Sequence, residues 1–162
     1  MKALVLAGGF GTRLRQAVSD KPKPMARVNG KPFVEYLISL LKKHSIREIV
    51  LCLHYLPDAF VDYFGNGEKF GLDIRYSYED KPLGTAGAIK NAERFIEETF
   101  FALNGDTFLD LDFNSFREYH EEMVSIATMA LVKAEDRSRY GSIKVEKGRI
   151  MSFNAVSYTH LR

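Results

Sequence analysis

The chain has 162 residues, 46% of them hydrophobic and 27% charged, and a net charge of +2. This is the composition of a globular domain with a sizeable core, and the charge is too small for the basic face of a nucleic-acid or membrane binder. The single cysteine, Cys52, excludes an internal disulfide, and the four histidines lack metal-ligand spacing.

No apolar run approaches the ~18 residues that span a bilayer. The opening from Met1 to Leu6 is too short for a secretory signal, so the cytoplasm is the expected compartment. In chain order, residues 2–6 form an apolar run without alternation that leads straight into glycines, which predicts a buried strand of a parallel sheet. Asn29-Gly30 marks a turn, and Phe33, Tyr36, Leu37, Leu40 and Leu41 recur at helical spacing. Residues 48–54 read as a second buried strand, with Cys52 a small hydrophobe inside it. Residues 57–64 predict a short helix stopped by Gly65, and 72–78 an alternating strand.

Gly84 opens a helix with apolar positions at Ala88, Ile89, Ala92, Phe95 and Ile96. Residues 99–103 predict a strand that ends in Asn104-Gly105-Asp106, and Phe113, Phe116, Tyr119 and Met123 a helix. Residues 125–133 and 142–146 predict strands, and Gly148 turns the chain into a further segment over 149–153. Strands alternating with helices predict the α/β class, a mostly parallel central sheet covered by helices on both faces. Ligands bind such sheets beyond the carboxyl ends of the strands. The loop after the first strand and Asp106 both fall there.

That first loop reads Gly8-Gly9-Phe10-Gly11-Thr12-Arg13-Leu14. Its glycines let the backbone approach a ligand and turn N–H groups toward an anion. Leu14 stands where a dinucleotide fingerprint needs glycine, and no Gly-Lys-Ser/Thr closes a P-loop. By itself the motif fits a plain glycine turn with a surface arginine equally well. In Asp20-Lys21-Pro22-Lys23-Pro24-Met25, two prolines flank Lys23 and are expected to keep it out of a helix. Lys23 is either a second cation for the phosphates that Arg13 would meet or a solvated lysine on a proline-rich loop.

Together these motifs, followed by Pro82-Leu83-Gly84-Thr85-Ala86-Gly87-Ala88, Asn104-Gly105-Asp106 and Arg139-Tyr140-Gly141, resemble the sugar-phosphate nucleotidyltransferases. The resemblance runs over residues 1–154. Residues 18–26 and 82–90 are most similar to the branch that transfers guanylyl groups to heptose 1-phosphate. Mannose-1-phosphate guanylyltransferases share the Pro-Leu-Gly-Thr-Ala-Gly stretch. The resemblance implies a Rossmann-like three-layer αβα fold and transfer of GMP from GTP to a sugar 1-phosphate, with release of pyrophosphate and Mg²⁺ as cofactor. The implied partners are these two small molecules, with no nucleic acid and no membrane.

It further implies that Leu6, Ala7, Gly8, Gly9, Gly11, Thr12, Gly84 and Thr85 bind the nucleotide, and that Arg13 and Lys23 bind and activate the triphosphate. Gly87, Asn104 and Gly141 fall at the sugar. Asp106 is the implied Mg²⁺ ligand, although a turn aspartate can equally cap backbone N–H groups. Glu79 stands where thymidine-nucleotide relatives carry glutamine. Guanine presents two adjacent donors that a carboxylate accepts together, so Glu79 is a candidate guanine acceptor. The alternative is a solvated glutamate in the run Glu79-Asp80-Lys81.

After Asn154 relatives continue with Glu-Lys, whereas residues 155–162 match no family pattern. The expected organisation is therefore a catalytic domain over 1–154, incomplete at its carboxyl end, with a non-native tail at 155–162. A catalytically silent nucleotide-sugar sensor is the alternative of another class. The presence of Arg13, Lys23 and Asp106 argues against it.

Overall fold

A computed structural model describes residues 1–9, 21–133 and 141–154 of the chain. Two compact units are present, Met1–Tyr119 and His120–Arg162. The strands of the first are β1 (Lys2–Leu6), β2 (Arg27–Val28), β3 (Lys31–Pro32), β4 (Glu48–Leu53), β5 (Asp73–Tyr78) and β6 (Phe100–Asn104). Its helices are α1 (Phe33–Lys43), α2 (Asp58–Phe64), α3 (Gly84–Asn91) and the start of α4 (Phe113–Glu122). β2 and β3 make a small hairpin whose turn residues Asn29 and Gly30 both have positive φ, 48° and 82°, as a tight two-residue turn requires.

The remaining four strands form a parallel sheet in the order β5-β4-β1-β6. The chain steps outward from β1 to β4 to β5, then jumps back past both to pair β6 with the other side of β1. Right-handed crossovers make that reversal change faces. α1 and α2 therefore share one face, where Val34, Leu37, Leu41, Phe60 and Phe64 pack with Ala3, Val5, Ile49 and Leu51 of the sheet. α3 covers the other, where Ala88 and Ala92 meet Leu4, Val50 and Cys52. This is the three-layer α/β arrangement that the strand–helix alternation predicts.

α1 also buries a carboxylate. Glu35 Oε2 accepts the Tyr63 hydroxyl at 2.5 Å, and Glu35 Oε1 pairs with Lys31 Nζ at 3.0 Å. Burial works to raise the Glu35 pKa, but the Tyr63 hydrogen bond and the Lys31 charge outweigh it and hold the group below its ordinary value.

Three local expectations are corrected. Lys23 does sit in a helix, the single 3₁₀ turn Lys23–Met25, because Pro22 and Pro24 fall at its start, where a missing N–H costs nothing. The helix from Gly84 does not run on to Ile96. It tightens after Asn91 as the Ala92 N–H reaches both Ala88 and Ile89, and Glu93–Phe95 is a separate 3₁₀ turn. In the second unit, β7 (Ser142–Glu146) and β8 (Arg149–Asn154) pair as an antiparallel hairpin turned at Lys147 and Gly148. Residues 125–133, however, form no strand. Their apolar composition supplies propensity, but no neighbouring strand among the described residues pairs with them, and Ile126 and Val132 are exposed. Among the described residues no helix is long and apolar enough to cross a membrane.

Candidate active site

The register of the sheet positions the site. Leu6 lies beside Cys52 on one side and Asn104 on the other, and Cys52 lies beside Ser77. Two residues further along the four strands come Gly8, His54, Glu79 and Asp106. The ladder persists a step past the strand ends. Ala7 N–H donates to Cys52 O at 2.9 Å, Gly105 N–H to Leu6 O at 2.8 Å and Glu79 N–H to Leu53 O at 2.8 Å. One row of the sheet, extended past its carboxyl edge, thus delivers four positions to the place where this architecture binds ligands.

A cleft of about 370 Å³ opens there. Of the candidate residues, Leu6, Ala7, Gly8, Gly9, Lys23, Glu79, Gly84, Thr85, Asn104 and Asp106 line it, joined by Pro24, Pro82 and Ala88. Gly11, Thr12 and Arg13 lie outside the described residues. Gly87 is not among the lining residues. A Cβ there would come within 2.8 Å of Leu83 Cβ, so its glycine has a packing reason. Gly141 belongs to the second unit.

At one end of the cleft Lys23 Nζ meets Asp106 Oδ2 at 2.7 Å. The two side chains, 37% and 38% exposed, come from segments 83 residues apart. Lys23 is presented by the 3₁₀ turn, whose Pro24 and Met25 are buried and whose Met25 N–H donates to Pro22 O at 2.8 Å. Asp106 follows Gly105, where a Cβ would lie 3.2 Å from Leu6 O and from Ala7 Cβ, so the glycine lets the β6 end run this close to β1 without displacing either.

At the other end Glu79 is not a solvated member of a charged run. It is buried although Asp80 and Lys81 are exposed. Ser77 and Glu79 share a parity, and β5 turns that side toward α3, where Asn91 Nδ2 donates to Ser77 Oγ at 3.0 Å. Glu79 Oε2 accepts the Leu83 N–H at 3.1 Å, which folds the 79–83 loop over the cleft. Glu79 Oε1 would lie 3.1 Å from a Cβ at Gly8, so the glycine lets this carboxylate sit against β1 without being pushed aside. Gly84 is demanded differently, by a φ of 69° where α3 begins. Beneath the cleft, burial and then the Glu79 charge push the Cys52 thiol up to about 12.

Among the described residues no group of three or more metal-ligating side chains converges. Asp106 is a lone cleft carboxylate at this end. Mg²⁺ commonly binds through one or two carboxylates together with substrate phosphates and waters, so this donor set suits a cation that arrives with a triphosphate. Sequence reasoning missed His54, whose ring it considered only as a metal ligand. The signal was its parity with Cys52 at the end of β4, in the same row as Glu79.

The family described as nucleotidyl transferase matches residues 2–154. The chain is 40% identical over 154 residues to the D-glycero-alpha-D-manno-heptose 1-phosphate guanylyltransferase of Campylobacter jejuni, covering 94% of this chain and 67% of that protein. It is 39% identical over 159 residues to the enzyme of the same name from Aneurinibacillus thermoaerophilus, covering 98% and 69%. The crystal structure of HddC from Yersinia pseudotuberculosis complexed with GMP-PN superposes with a TM-score of 0.82 at 35% identity, covering 94% of this chain and 68% of that one. The chain thus spans about two thirds of the length of these relatives.

Proposed function

The chain belongs to the nucleotidyl transferase family and is a sugar-1-phosphate nucleotidyltransferase; on that premise we propose that it transfers GMP from GTP to D-glycero-α-D-manno-heptose 1-phosphate, releasing pyrophosphate. The observation that carries the choice of base is the buried Glu79 carboxylate facing Gly8 in the cleft. One oxygen is already committed to the Leu83 N–H, yet a carboxylate has about four lone-pair sites and can still accept the N1–H and N2–H of guanine. Uracil offers one donor between two acceptors, which would face this anion unfavourably. The sugar rests on the likeness to heptose 1-phosphate enzymes.

The remaining roles follow from charge. The reaction joins two anions, because an oxygen of the sugar phosphate attacks the α-phosphorus in line and pyrophosphate departs with the electron pair. No covalent enzyme intermediate is needed, since a phosphate oxygen is already a nucleophile, so catalysis consists of positioning and charge neutralisation. Leu6, Ala7, Gly8, Gly9, Gly84 and Thr85 line the nucleotide's path, and Lys23 neutralises phosphate charge. Gly11, Thr12 and Arg13 are assigned to the triphosphate by their motif, and Gly87, Asn104 and Gly141 to the sugar. Asp106 would hold Mg²⁺, which supplies charge neutralisation and polarises the phosphate oxygens. The buried free thiol Cys52 suits a reducing compartment, and we place the reaction in the cytoplasm.

The test is product formation by the purified protein across a panel of nucleoside triphosphates and sugar 1-phosphates. GTP with heptose 1-phosphate should give the highest kcat/KM. Glu79→Gln should lower the preference for GTP over UTP by at least about tenfold, the scale of one charged hydrogen bond. A variant that keeps the parent's preference removes Glu79 as the base reader. A higher kcat/KM with mannose 1-phosphate changes the sugar and leaves the base assignment standing.

A further inference from the structure

We propose that His54 is a positioning residue for base selection, acting through Glu79; the proposal rests on the reading that Glu79 receives the nucleobase. Three hydrogen bonds hold Glu79 in place. Its N–H donates to Leu53 O at 2.8 Å, its Oε2 accepts from Leu83 N at 3.1 Å, and its carbonyl accepts from His54 Nδ1 at 2.7 Å. The first two are made by backbone partners. The third is made by a side chain, so it is the tether that sequence can tune.

A carbonyl only accepts, so the proton in this contact sits on Nδ1 of the imidazole. The residue also stands against Gly8 through its backbone and Cβ, since a Cβ at Gly8 would lie 3.3 Å from both His54 Cβ and His54 N. His54 therefore ties the Glu79 peptide to the end of β4 beside Gly8, and so sets where the Glu79 carboxylate stands in the cleft lining. It does not line the cleft, so it acts on a base through where it places Glu79 and not by touching the base. Loss of this donor frees the Glu79 peptide to rotate. The carboxylate then samples positions in which it meets only one of guanine's two donors, and GTP loses more than UTP.

The experiment is isothermal titration calorimetry of the whole chain with GTP and with UTP, each in Mg²⁺, read as the ratio of the two affinities. His54→Phe keeps a ring of similar size without the donor and should lower the ratio about five- to tenfold. His54→Asn places an amide N–H two bonds beyond Cβ, as Nδ1 is, and should restore the ratio to within about twofold of the parent. His54→Gln carries the same amide one methylene further out and should not restore it. In the double variant with Glu79→Gln the ratio should equal that of Glu79→Gln alone, because the carboxylate whose place decides the ratio is gone.

A folded His54→Phe protein with the parent's ratio overturns the proposal, as does a double variant that falls further than Glu79→Gln. Should His54→Phe fail to fold, equal ratios in the Asn and Gln variants overturn it. If Glu79→Gln keeps the parent's ratio, the base assignment fails and this proposal falls with it. If Glu79→Gln loses the ratio while His54→Phe keeps it, His54 alone is struck out.

Discussion

At one end of the cleft Glu79 is buried and held by three hydrogen bonds, whereas at the other Lys23 and Asp106 are each more than a third exposed and hold one another through one ion pair. The first arrangement is preorganised, with its donors and acceptors fixed before any ligand enters. The second is provisional. An exposed ion pair is worth only about 0–1 kcal/mol, so phosphate can draw Lys23 away and a cation can take its place at Asp106. A rigid end suits recognition of an invariant base edge, and a rearrangeable one suits a reaction in which charge moves between two phosphates.

The largest effect that would sharpen this contrast is expected from Asp106→Asn, which should lower kcat by about two to three orders of magnitude, the usual scale for losing a charge-stabilising group. The melting temperature should hardly change, and near-parental turnover would remove Asp106 from the reacting end. Lys23→Ala should cost about a hundredfold in kcat. In the nucleotide-free protein it should also tighten Mn²⁺ binding by up to about fivefold, since the carboxylate no longer has an internal partner. Unchanged Mn²⁺ affinity by calorimetry would mean that the pair does not compete with metal.

Gly8→Ala probes the rigid end from the opposite wall. Its Cβ would crowd Glu79 Oε1 at 3.1 Å, and the preference for GTP over UTP should fall several-fold in competition assays. A parental preference would show that the carboxylate tip tolerates displacement.

Tyr63→Phe is the control, because it touches neither end of the cleft. It removes the hydroxyl on Glu35 and should cost about 1–2 kcal/mol in urea unfolding at neutral pH with base preference intact. The folded pKa of Glu35 is lowered, so its contribution is complete above the unfolded value of about 4.3 and is lost as pH falls through the folded one. Without the Tyr63 hydroxyl that shift shrinks, and stability should fall less steeply with acid than in the parent. An identical acid slope would show that the Tyr63 hydroxyl does not help to hold the Glu35 pKa down.

The strands of the central sheet were legible because apolar runs at Lys2–Leu6 and Glu48–Leu53 have one reading when both faces are covered. The segment 125–133 was misread for the complementary reason, since composition reports the wish for a partner strand and not its presence. Ten of the twelve described candidate positions line the cleft, because glycine loops and strand ends leave marks in the sequence. The burial of Glu79 left none, as the same three letters Glu-Asp-Lys fit a solvated run. Parity with Ser77 decides it, and parity needs the register of β5. Glu35 and His54 escaped for the same reason, because their roles lie in contacts 28 and 25 residues away.

Cys52 adds a consequence of another kind. It is the chain's one thiol, fully buried on the central strand face under α3, with its ionisation suppressed to about 12. A thiol reagent can therefore reach it only during moments when the sheet opens. The labelling rate is a clock on those openings, and where reclosing outpaces labelling it reads their free energy directly. A nucleotide that bridges the ends of β1, β5 and β6 should slow that clock, so the protein carries its own reporter of occupancy at a place no ligand touches.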